Sequence, residues 1–273
     1  MEVRSLLVAA VAGWALLAWM ANRSAFFPLK YPGGAWEERQ RIRADDVWIQ
    51  SSGARLHGWW KKVKGAQAAV LFLHGNAGNV TQRAGAMEDV AAAGAAVLVV
   101  DYRGYGKSGG RPAEPGLYRD AEAAYEWLRA QGWGEDRIIL VGESLGTAVA
   151  VNLASRRRCA AVVLEAPFPS ARAVASRVLP VLGPALVWGF DSRAKIAGVK
   201  APLLFIHGDR DEVIDYELGM DLFREAPEPK THWTVKGGHH NDLHSVNPAA
   251  YRERLRTFIM NACSAAVSSP PRS

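Results

Sequence analysis

Short apolar runs alternate with longer helical segments along most of this chain. Each run is continuously hydrophobic and is bounded by turn residues, which is typical of strands buried on both faces. The runs are residues 68–73, 96–100, 137–141, 161–164, 202–206 and 231–235. Helical periodicity occurs at residues 82–93, 115–131, 145–155, 216–225 and 248–262. This alternation predicts one α/β domain at residues 46–263, with a mostly parallel twisted sheet and helices on both faces.

Three stretches depart from this alternation. Residues 47–63 alternate between apolar and polar positions around Ser52-Gly53, which predicts an antiparallel β-hairpin at the start of the domain. Residues 170–198 are apolar but irregular and contain Pro180 and Pro184, so we expect two short helices that form either a small lid or a packed connection. Residues 264–273 are rich in Ala, Ser and Pro, which predicts a disordered tail.

The N-terminal segment is apolar, and no charged residue occurs between Leu6 and Ala21. A helix that spans a bilayer needs about 20 apolar residues, and this stretch with its flanks reaches the lower limit. A cleaved signal peptide would end in small residues, whereas this segment ends in Met20-Ala21-Asn22-Arg23. We therefore interpret residues 5–22 as a single-pass membrane anchor of undetermined orientation, joined to the domain by a connecting segment at residues 23–45.

Charge and cysteine content exclude several classes of function. The 33 Lys and Arg against 27 Asp and Glu give a net charge of +6, but the basic residues are scattered apart from residues 156–158. A short basic run at the end of a predicted helix is typical of a solvated terminus, so nucleic acid is not predicted as a partner. Cys159 and Cys263 form no CxxC pattern, which indicates neither a disulfide framework nor a thiolate metal site. We expect a monomer with no cofactor and no metal.

The best candidate for chemistry is Gly142-Glu143-Ser144-Leu145-Gly146, which lies between a predicted strand and a predicted helix. Glycines two residues on either side of a serine permit the sharp turn that exposes its hydroxyl at the sheet edge. The start of the following helix supplies partial positive charge where an oxyanion would form. We interpret Ser144 as a nucleophile.

A serine nucleophile needs a base, and the base needs a group that fixes its tautomer. Two loops that follow predicted strands, residues 207–213 and 236–242, offer both kinds of side chain. The residue types alone leave the choice open. The acid candidates are Asp209, Asp211, Glu212 and Asp215, and the base candidates are His239, His240 and His244. A metal chelate by His240, His244 and Asp242 is a weaker alternative, because two glycines indicate a loop there and no H-E-x-x-H pattern occurs.

A further loop, residues 74–79, follows the first buried strand and reads H-G-N-A-G-N. It lacks both the G-K-[ST] ending of a P-loop and the G-x-G-x-x-G spacing, so nucleotide binding is not predicted. Acyl transfer needs backbone N–H donors for the oxyanion, one just after the nucleophile and one from such an earlier loop. We expect Leu145 and Asn76 to supply these donors.

Together these motifs resemble the membrane-anchored branch of the α/β-hydrolase superfamily, which includes eukaryotic protein depalmitoylases, lysophosphatidylserine lipases and bacterial relatives. The resemblance runs from about residue 26 to residue 258 and is also carried by residues 101–108 and 165–168. It implies the α/β-hydrolase fold. Through the family's H-G-x-x-D and G-x-x-H-N-D patterns it implies Asp211 as the acid and His240 as the base. His239 departs from the pattern, since relatives carry a small residue there.

The resemblance also implies a small-molecule or lipid acyl substrate and a modest helical lid. If residues 170–198 form that lid, we expect Val178, Leu182 and Trp188 to contact the acyl chain. The chain has no cysteine before Cys159, unlike the cysteine-rich N-termini of eukaryotic depalmitoylases, so protein depalmitoylation is disfavoured. The sequence therefore predicts a serine hydrolase of carboxylic esters or thioesters. The alternatives are a serine peptidase or amidase on the same fold, or a catalytically silent membrane scaffold.

Overall fold

The computed structural model describes residues 13–18, 20, 22 and 25–268. The strands are β1 (Phe27–Pro28), β2 (Asp45–Ser51), β3 (Ala54–Lys61), β4 (Ala69–Leu73), β5 (Ala77–Gly78), β6 (Ala96–Val100), β7 (Ile138–Glu143), β8 (Ala161–Glu165), β9 (Leu203–Gly208) and β10 (Lys230–Val235). From residue 25 onward the α-helices of the described residues are α1 (Glu38–Arg41), α2 (Ala84–Ala92), α3 (Glu114–Ala130), α4 (Leu145–Ala154), α5 (Ala171–Val178), α6 (Gly183–Leu186), α7 (Arg193–Ile196), α8 (Tyr216–Glu225), α9 (Leu243–Val246) and α10 (Pro248–Ser268). Two 3₁₀ helices span Val80–Arg83 and Glu135–Arg137.

Within the described part of the chain, eight strands form one sheet in the order β10-β9-β8-β7-β4-β6-β3-β2. All neighbours from β10 to β6 are parallel, whereas β2 pairs antiparallel with β3 and β3 pairs antiparallel with β6. The turn between β2 and β3 contains Gly53, whose φ of +78° suits glycine. The predicted mostly parallel sheet with an N-terminal antiparallel hairpin is confirmed.

Helices cover both faces of the sheet. Alternate strand residues enter two apolar clusters, with Leu71 and Leu98 in one and Val70 and Val97 in the other. The first cluster includes residues of α3, α4 and α8, and the second includes residues of α2 and α10. Because the central strands are buried on both sides, each appears in the sequence as a continuous apolar run.

The insertion between β8 and β9 contains three short helices, α5, α6 and α7, where the sequence predicted two. Several apolar side chains around the α5–α6 connection are exposed, including Val178, Val181 and Leu182. Part of the insertion therefore presents apolar surface to solvent, while other residues of it face the candidate site described below.

Both ends of the chain differ from the sequence-based expectation. No helix among the described residues is both long and apolar enough to span a bilayer, so the predicted single-pass anchor at residues 5–22 and its membrane localisation are wrong. The uncharged run was at the lower length limit for such a helix. Residues 5–12, 19 and 21 of that segment lie outside the described residues.

The segment at residues 23–45 is more than a connection, because it contributes β1 and α1. At the other end, α10 continues to Ser268 and so includes the beginning of the predicted disordered tail at residues 264–273. Extending an existing helix is easier than starting one, which explains how a stretch with little to bury stays helical. Residues 269–273 lie outside the described residues.

Candidate active site

The turn at Ser144 joins the end of β7 to the start of α4. Its backbone has φ +51° and ψ −116°, a sparsely populated conformation for a residue with a side chain. A Cβ atom on Gly146 would lie 1.8 Å from the carbonyl oxygen of Leu73, and one on Gly142 would lie 2.5 Å from that of Gly146. The two glycines of the motif are therefore required by close contacts with backbone.

Ser144 and His240 are within hydrogen-bonding distance. The Oγ atom of Ser144 lies 3.0 Å from Nε2 of His240, and Nδ1 of His240 lies 2.8 Å from Oδ2 of Asp211. A carboxylate only accepts, so the Nδ1 proton of His240 is donated to Asp211 and the neutral ring keeps Nε2 free to accept from the serine hydroxyl. The structure thus brings together the three side chains that the sequence predicted as nucleophile, base and acid.

Three donors bind Asp211 and a fourth is shared with a carbonyl. Its Oδ1 accepts from the backbone N–H groups of Val213 and Ile214 at 2.9 and 2.7 Å, and its Oδ2 accepts from Nδ1 of His240 at 2.8 Å. Nε2 of His207 lies 3.0 Å from the carbonyl oxygen of Ile214 and 3.2 Å from Oδ2 of Asp211. Burial raises the pKa of Asp211, but the hydrogen bonds from His207 and His240 and the charge of protonated His240 outweigh it, so the pKa lies well below its ordinary value. The group therefore stays a carboxylate.

The neighbouring candidates have other partners. Asp209 accepts from the N–H of Gly237 at 2.6 Å, and Asp215 caps α8 by accepting from the N–H of Glu217 at 2.9 Å. His239 is half-exposed and lies 3.0 Å from Glu212. Both ring nitrogens of His240 are engaged by Asp211 and Ser144, which leaves none for the metal chelate considered above.

The loop of Asn76 lies beside the Ser144 turn because β4 and β7 are adjacent in the sheet. The Tyr105 hydroxyl donates to the carbonyl of Asn76 at 2.8 Å, and Arg83 donates to that of Ala77 at 3.2 Å. Arg83 also pairs with Glu143 at 3.1 Å, the residue before the serine. One guanidinium therefore links the predicted oxyanion loop to the turn that carries the hydroxyl.

Glu165 supports the same turn from inside the protein. Its carbonyl accepts from the N–H of Ser144 at 2.8 Å, and its buried carboxyl accepts from the hydroxyl of Tyr251 in α10. Burial raises the pKa of Glu165 to about 7, although the hydrogen bond from Tyr251 acts in the opposite direction. An ionisable group with a strongly shifted pKa thus lies directly behind the candidate nucleophile.

A cavity of about 470 Å³ opens at Ser144 and His240. Asn76 and Leu145 are among the residues that line it, and their role as oxyanion donors stays a prediction. Most of the remaining lining is apolar and comes from the insertion, the N-terminal segment and the loops after β8 and β9: Ala25, Phe26, Phe27, Phe168, Ala171, Val174, Ala175, Val187, Trp188, Phe190, Val213 and Ile214. Arg83, Glu143 and Asn241 make one part of the lining polar.

One of the three predicted acyl-contact residues lines this cavity. Trp188 does, whereas Val178 and Leu182 do not and have exposed fractions of 71% and 60%. On α5 the lining residues include Val174 and Ala175, and Val178 lies one turn further along the helix, past the cavity. The assignment of Val178 and Leu182 to the acyl site is therefore corrected.

Comparison with known proteins agrees with this architecture. A family model described as alpha/beta hydrolase fold matches residues 68–195. The chain is 38% identical over 260 residues to an uncharacterized protein of Mycobacterium tuberculosis, covering 93% of this chain and 92% of that one. It is 39% identical over 231 residues to alpha/beta hydrolase domain-containing protein 17C of Xenopus tropicalis, covering 82% of this chain and 73% of the relative. The chain belongs to the alpha/beta hydrolase superfamily.

A solved structure of a Pyrococcus furiosus esterase matches this alpha/beta hydrolase with a TM-score of 0.74 and 20% sequence identity, over 87% of this chain and 98% of that one. At this identity the likeness shows the common fold. The predicted α/β-hydrolase fold is thereby confirmed, and within it β7, the Ser144 turn and α4 form the strand–turn–helix unit in which this superfamily carries a nucleophile.

Several residues that shape the site were not assigned by the sequence. His207 was part of the H-G-x-x-D motif, but nothing in its spacing indicated that its ring would reach Asp211. Arg83 and Glu143 are 60 residues apart, so no local pattern pairs them. Phe26 was read as part of a connecting segment. Only the H-G-x-x-D motif could have indicated a role for His207. The positions of Arg83, Glu143 and Phe26 at the site depend on the order in which the strands pair.

Proposed function

We propose that this alpha/beta hydrolase cleaves carboxylic ester or thioester bonds of acyl substrates with Ser144 as nucleophile, His240 as base and Asp211 as the group that orients the base. The observation that carries the proposal is the continuous pair of hydrogen-bonding distances, 3.0 Å from Ser144 to His240 and 2.8 Å from His240 to Asp211, at the mouth of a largely apolar cavity. This arrangement matches the geometry required for general-base activation of a hydroxyl.

In the proposed reaction the Ser144 hydroxyl gives its proton to Nε2 of His240 as its oxygen attacks the substrate carbonyl. The backbone N–H groups of Asn76 and Leu145 stabilise the resulting oxyanion. The imidazolium then returns the proton to the leaving alcohol or thiol, and an acyl-enzyme remains on Ser144. Water, deprotonated by His240, hydrolyses that ester and releases the acid.

The form of the cavity supports an acyl substrate. Its apolar lining suits a hydrocarbon chain, and the insertion at residues 170–198 covers that part as a small cap. The polar part, near Arg83, Glu143 and Asn241, suits a leaving group that carries hydrogen-bonding atoms.

A fluorophosphonate probe tests the nucleophile. The wild-type protein should be labelled and should hydrolyse p-nitrophenyl esters, whereas Ser144→Ala should do neither. Ser52→Ala, which changes an exposed serine in the β2–β3 turn, should behave as wild type. Labelling that persists in Ser144→Ala would reject this nucleophile, and faster cleavage of peptide amides than of acyl esters would reject the substrate class.

A further inference from the structure

The segment that precedes the first strand of the main sheet is paired with the loop of the candidate oxyanion site. Strand β1 (Phe27–Pro28) pairs in parallel with β5 (Ala77–Gly78), so that Phe27 lies opposite Ala77. The pairing continues as the N–H of Leu29 donates to the carbonyl of Gly78 at 2.9 Å. The N-terminal segment is thus fixed to the catalytic edge of the sheet by backbone hydrogen bonds.

Both asparagines of the H-G-N-A-G-N loop bind this segment with their side chains. Nδ2 of Asn76 donates to the carbonyl of Ala25 at 2.5 Å. Nδ2 of Asn79, which is fully buried, donates to the carbonyls of Leu29 and Gly33, each at 2.9 Å. Asn76, whose backbone N–H is proposed to donate to the oxyanion, therefore binds the N-terminal segment with its side-chain amide.

The same segment also contacts the insertion on the other side of the cavity. Nδ2 of Asn22 donates to the carbonyl of Leu186 at 2.8 Å, and Oδ1 of Asn22 accepts from the N–H of Trp188 at 3.3 Å. The ring of Phe26 packs edge-on against Phe190, with the ring centroids 6.1 Å apart. Asn22 and residues 25–28 therefore contact both the oxyanion loop and the insertion, and four of them line the cavity: Asn22, Ala25, Phe26 and Phe27.

We propose that Asn22 and residues 25–28 form a fixed wall of the acyl site and that Phe26 limits the length of the acyl chain that the site accepts. This inference rests on the proposed function for its substrate class. Phe26 and Phe190 both line the cavity and their rings are in contact, and Phe26 is partly buried against the main apolar cluster. Its ring therefore occupies space that an acyl chain would otherwise fill. Asn22 fixes the insertion against this wall through its two hydrogen bonds.

Two substitutions change the size of the wall in opposite directions. Phe26→Ala should shift the best p-nitrophenyl ester in a series from acetate to laurate toward longer chains, and Phe26→Trp should shift it toward shorter ones. Burial of one more methylene favours a substrate by a factor of about four, so the ratio of kcat/KM for laurate over butyrate should change by at least that factor in each direction. Leu29→Ala is the matched control, because Leu29 lies in the same segment and does not line the cavity; its ratio should equal that of wild type.

A binding measurement separates this inference from the proposed hydrolysis. In a Ser144→Ala background, saturated fatty acids of increasing length should compete with a fluorescent fatty acid for the cavity, with the same opposite shifts for Phe26→Ala and Phe26→Trp. If the variants show these binding shifts but the wild type hydrolyses no ester, the proposed function is rejected and the proposed role of Phe26 in limiting chain length stands. Unchanged length preference in both variants, with melting temperatures equal to wild type, would overturn the wall.

Hydrogen exchange tests the role of Asn22. In Asn22→Ala the amide of Trp188 loses its acceptor, so its exchange should be faster than in wild type, while the amide of Leu29, which is bound to Gly78, should be unchanged. Equal protection of Trp188 in both proteins would show that Asn22 does not hold the insertion in place.

Discussion

Replacement of Asp211 by asparagine tests the proposed orientation of the base in a way that the structure makes specific. Oδ1 of Asp211 accepts from two backbone N–H groups, those of Val213 and Ile214, so this position must remain an oxygen. The amide nitrogen of Asp211→Asn would therefore occupy the Oδ2 position, 2.8 Å from Nδ1 of His240 and 3.2 Å from Nε2 of His207. A donor would then face Nδ1 of His240, which donates to the carboxylate in the wild type, while Nε2 of His207 keeps the carbonyl oxygen of Ile214 at 3.0 Å.

The consequence follows from the two tautomers of histidine. With an N–H group opposite Nδ1, the neutral ring of His240 becomes an acceptor there and carries its proton on Nε2, the atom that must accept from Ser144. The equivalent substitution in a Ser-His-Asp protease lowers kcat by about 10⁴. We expect a loss of the same order, about 5–6 kcal/mol of transition-state stabilisation, with little change in KM.

The assay is the steady-state hydrolysis of a p-nitrophenyl ester together with the rate of fluorophosphonate labelling. Asp215→Asn is the matched control, since it is the same change in the same loop and asparagine caps a helix as well as aspartate does. It should keep wild-type kcat. An Asp211→Asn protein that folds normally and retains activity within about tenfold of wild type would contradict the orienting role of Asp211.

Two further predictions concern stability. Gly146→Ala would place a methyl group 1.8 Å from the carbonyl oxygen of Leu73, so it should lower the free energy of unfolding in urea by at least about 2–3 kcal/mol and abolish labelling. The control Gly85→Ala in α2, where nothing lies within 4 Å, should stabilise the protein by about 0.5–1 kcal/mol. Equal stability of the two variants would contradict the packing of the turn. Glu165 is protonated in the folded protein below about pH 7 but ionises near its ordinary value of 4.5 when unfolded, so wild-type stability should fall as the pH rises from about 4.5 to about 7. Glu165→Gln should remove that fall and be more stable at pH 8 by up to about 3 kcal/mol, while identical pH profiles of unfolding would show that the carboxyl is ionised in the folded state.

The sequence predicted the main sheet well because its signals are local. A strand such as β7, buried on both faces, is a continuous apolar run whatever lies far away in the chain. The carboxyl ends of parallel strands meet at one edge, so the loops of Ser144, Asp211 and His240 were expected to lie together once the strands were identified. The choice of Asp211 over Asp209 came from the family pattern, because the direction of a loop side chain depends on backbone angles that residue types do not fix.

The remaining features depend on contacts between distant parts of the chain. Val178 and Trp188 both belong to an apolar stretch, and hydrophobicity alone does not tell which of them faces the cavity and which faces solvent. The bond between Asn22 and Leu186 joins residues 164 positions apart. Hydropathy places Asn22 at the end of a predicted spanning helix. In the structure its side-chain amide instead forms hydrogen bonds with the backbone of Leu186 and Trp188 in the insertion.

Ser144 has a backbone conformation that glycine would adopt with less strain. A side chain held at φ +51° and ψ −116° costs on the order of 1–3 kcal/mol, which a glycine would avoid. Selection for folding alone would therefore replace this serine while retaining Gly142 and Gly146, whose close contacts exclude any other residue. In a lineage released from the need for its chemistry, residue 144 should be among the first positions to drift, and the rest of the turn should outlast it.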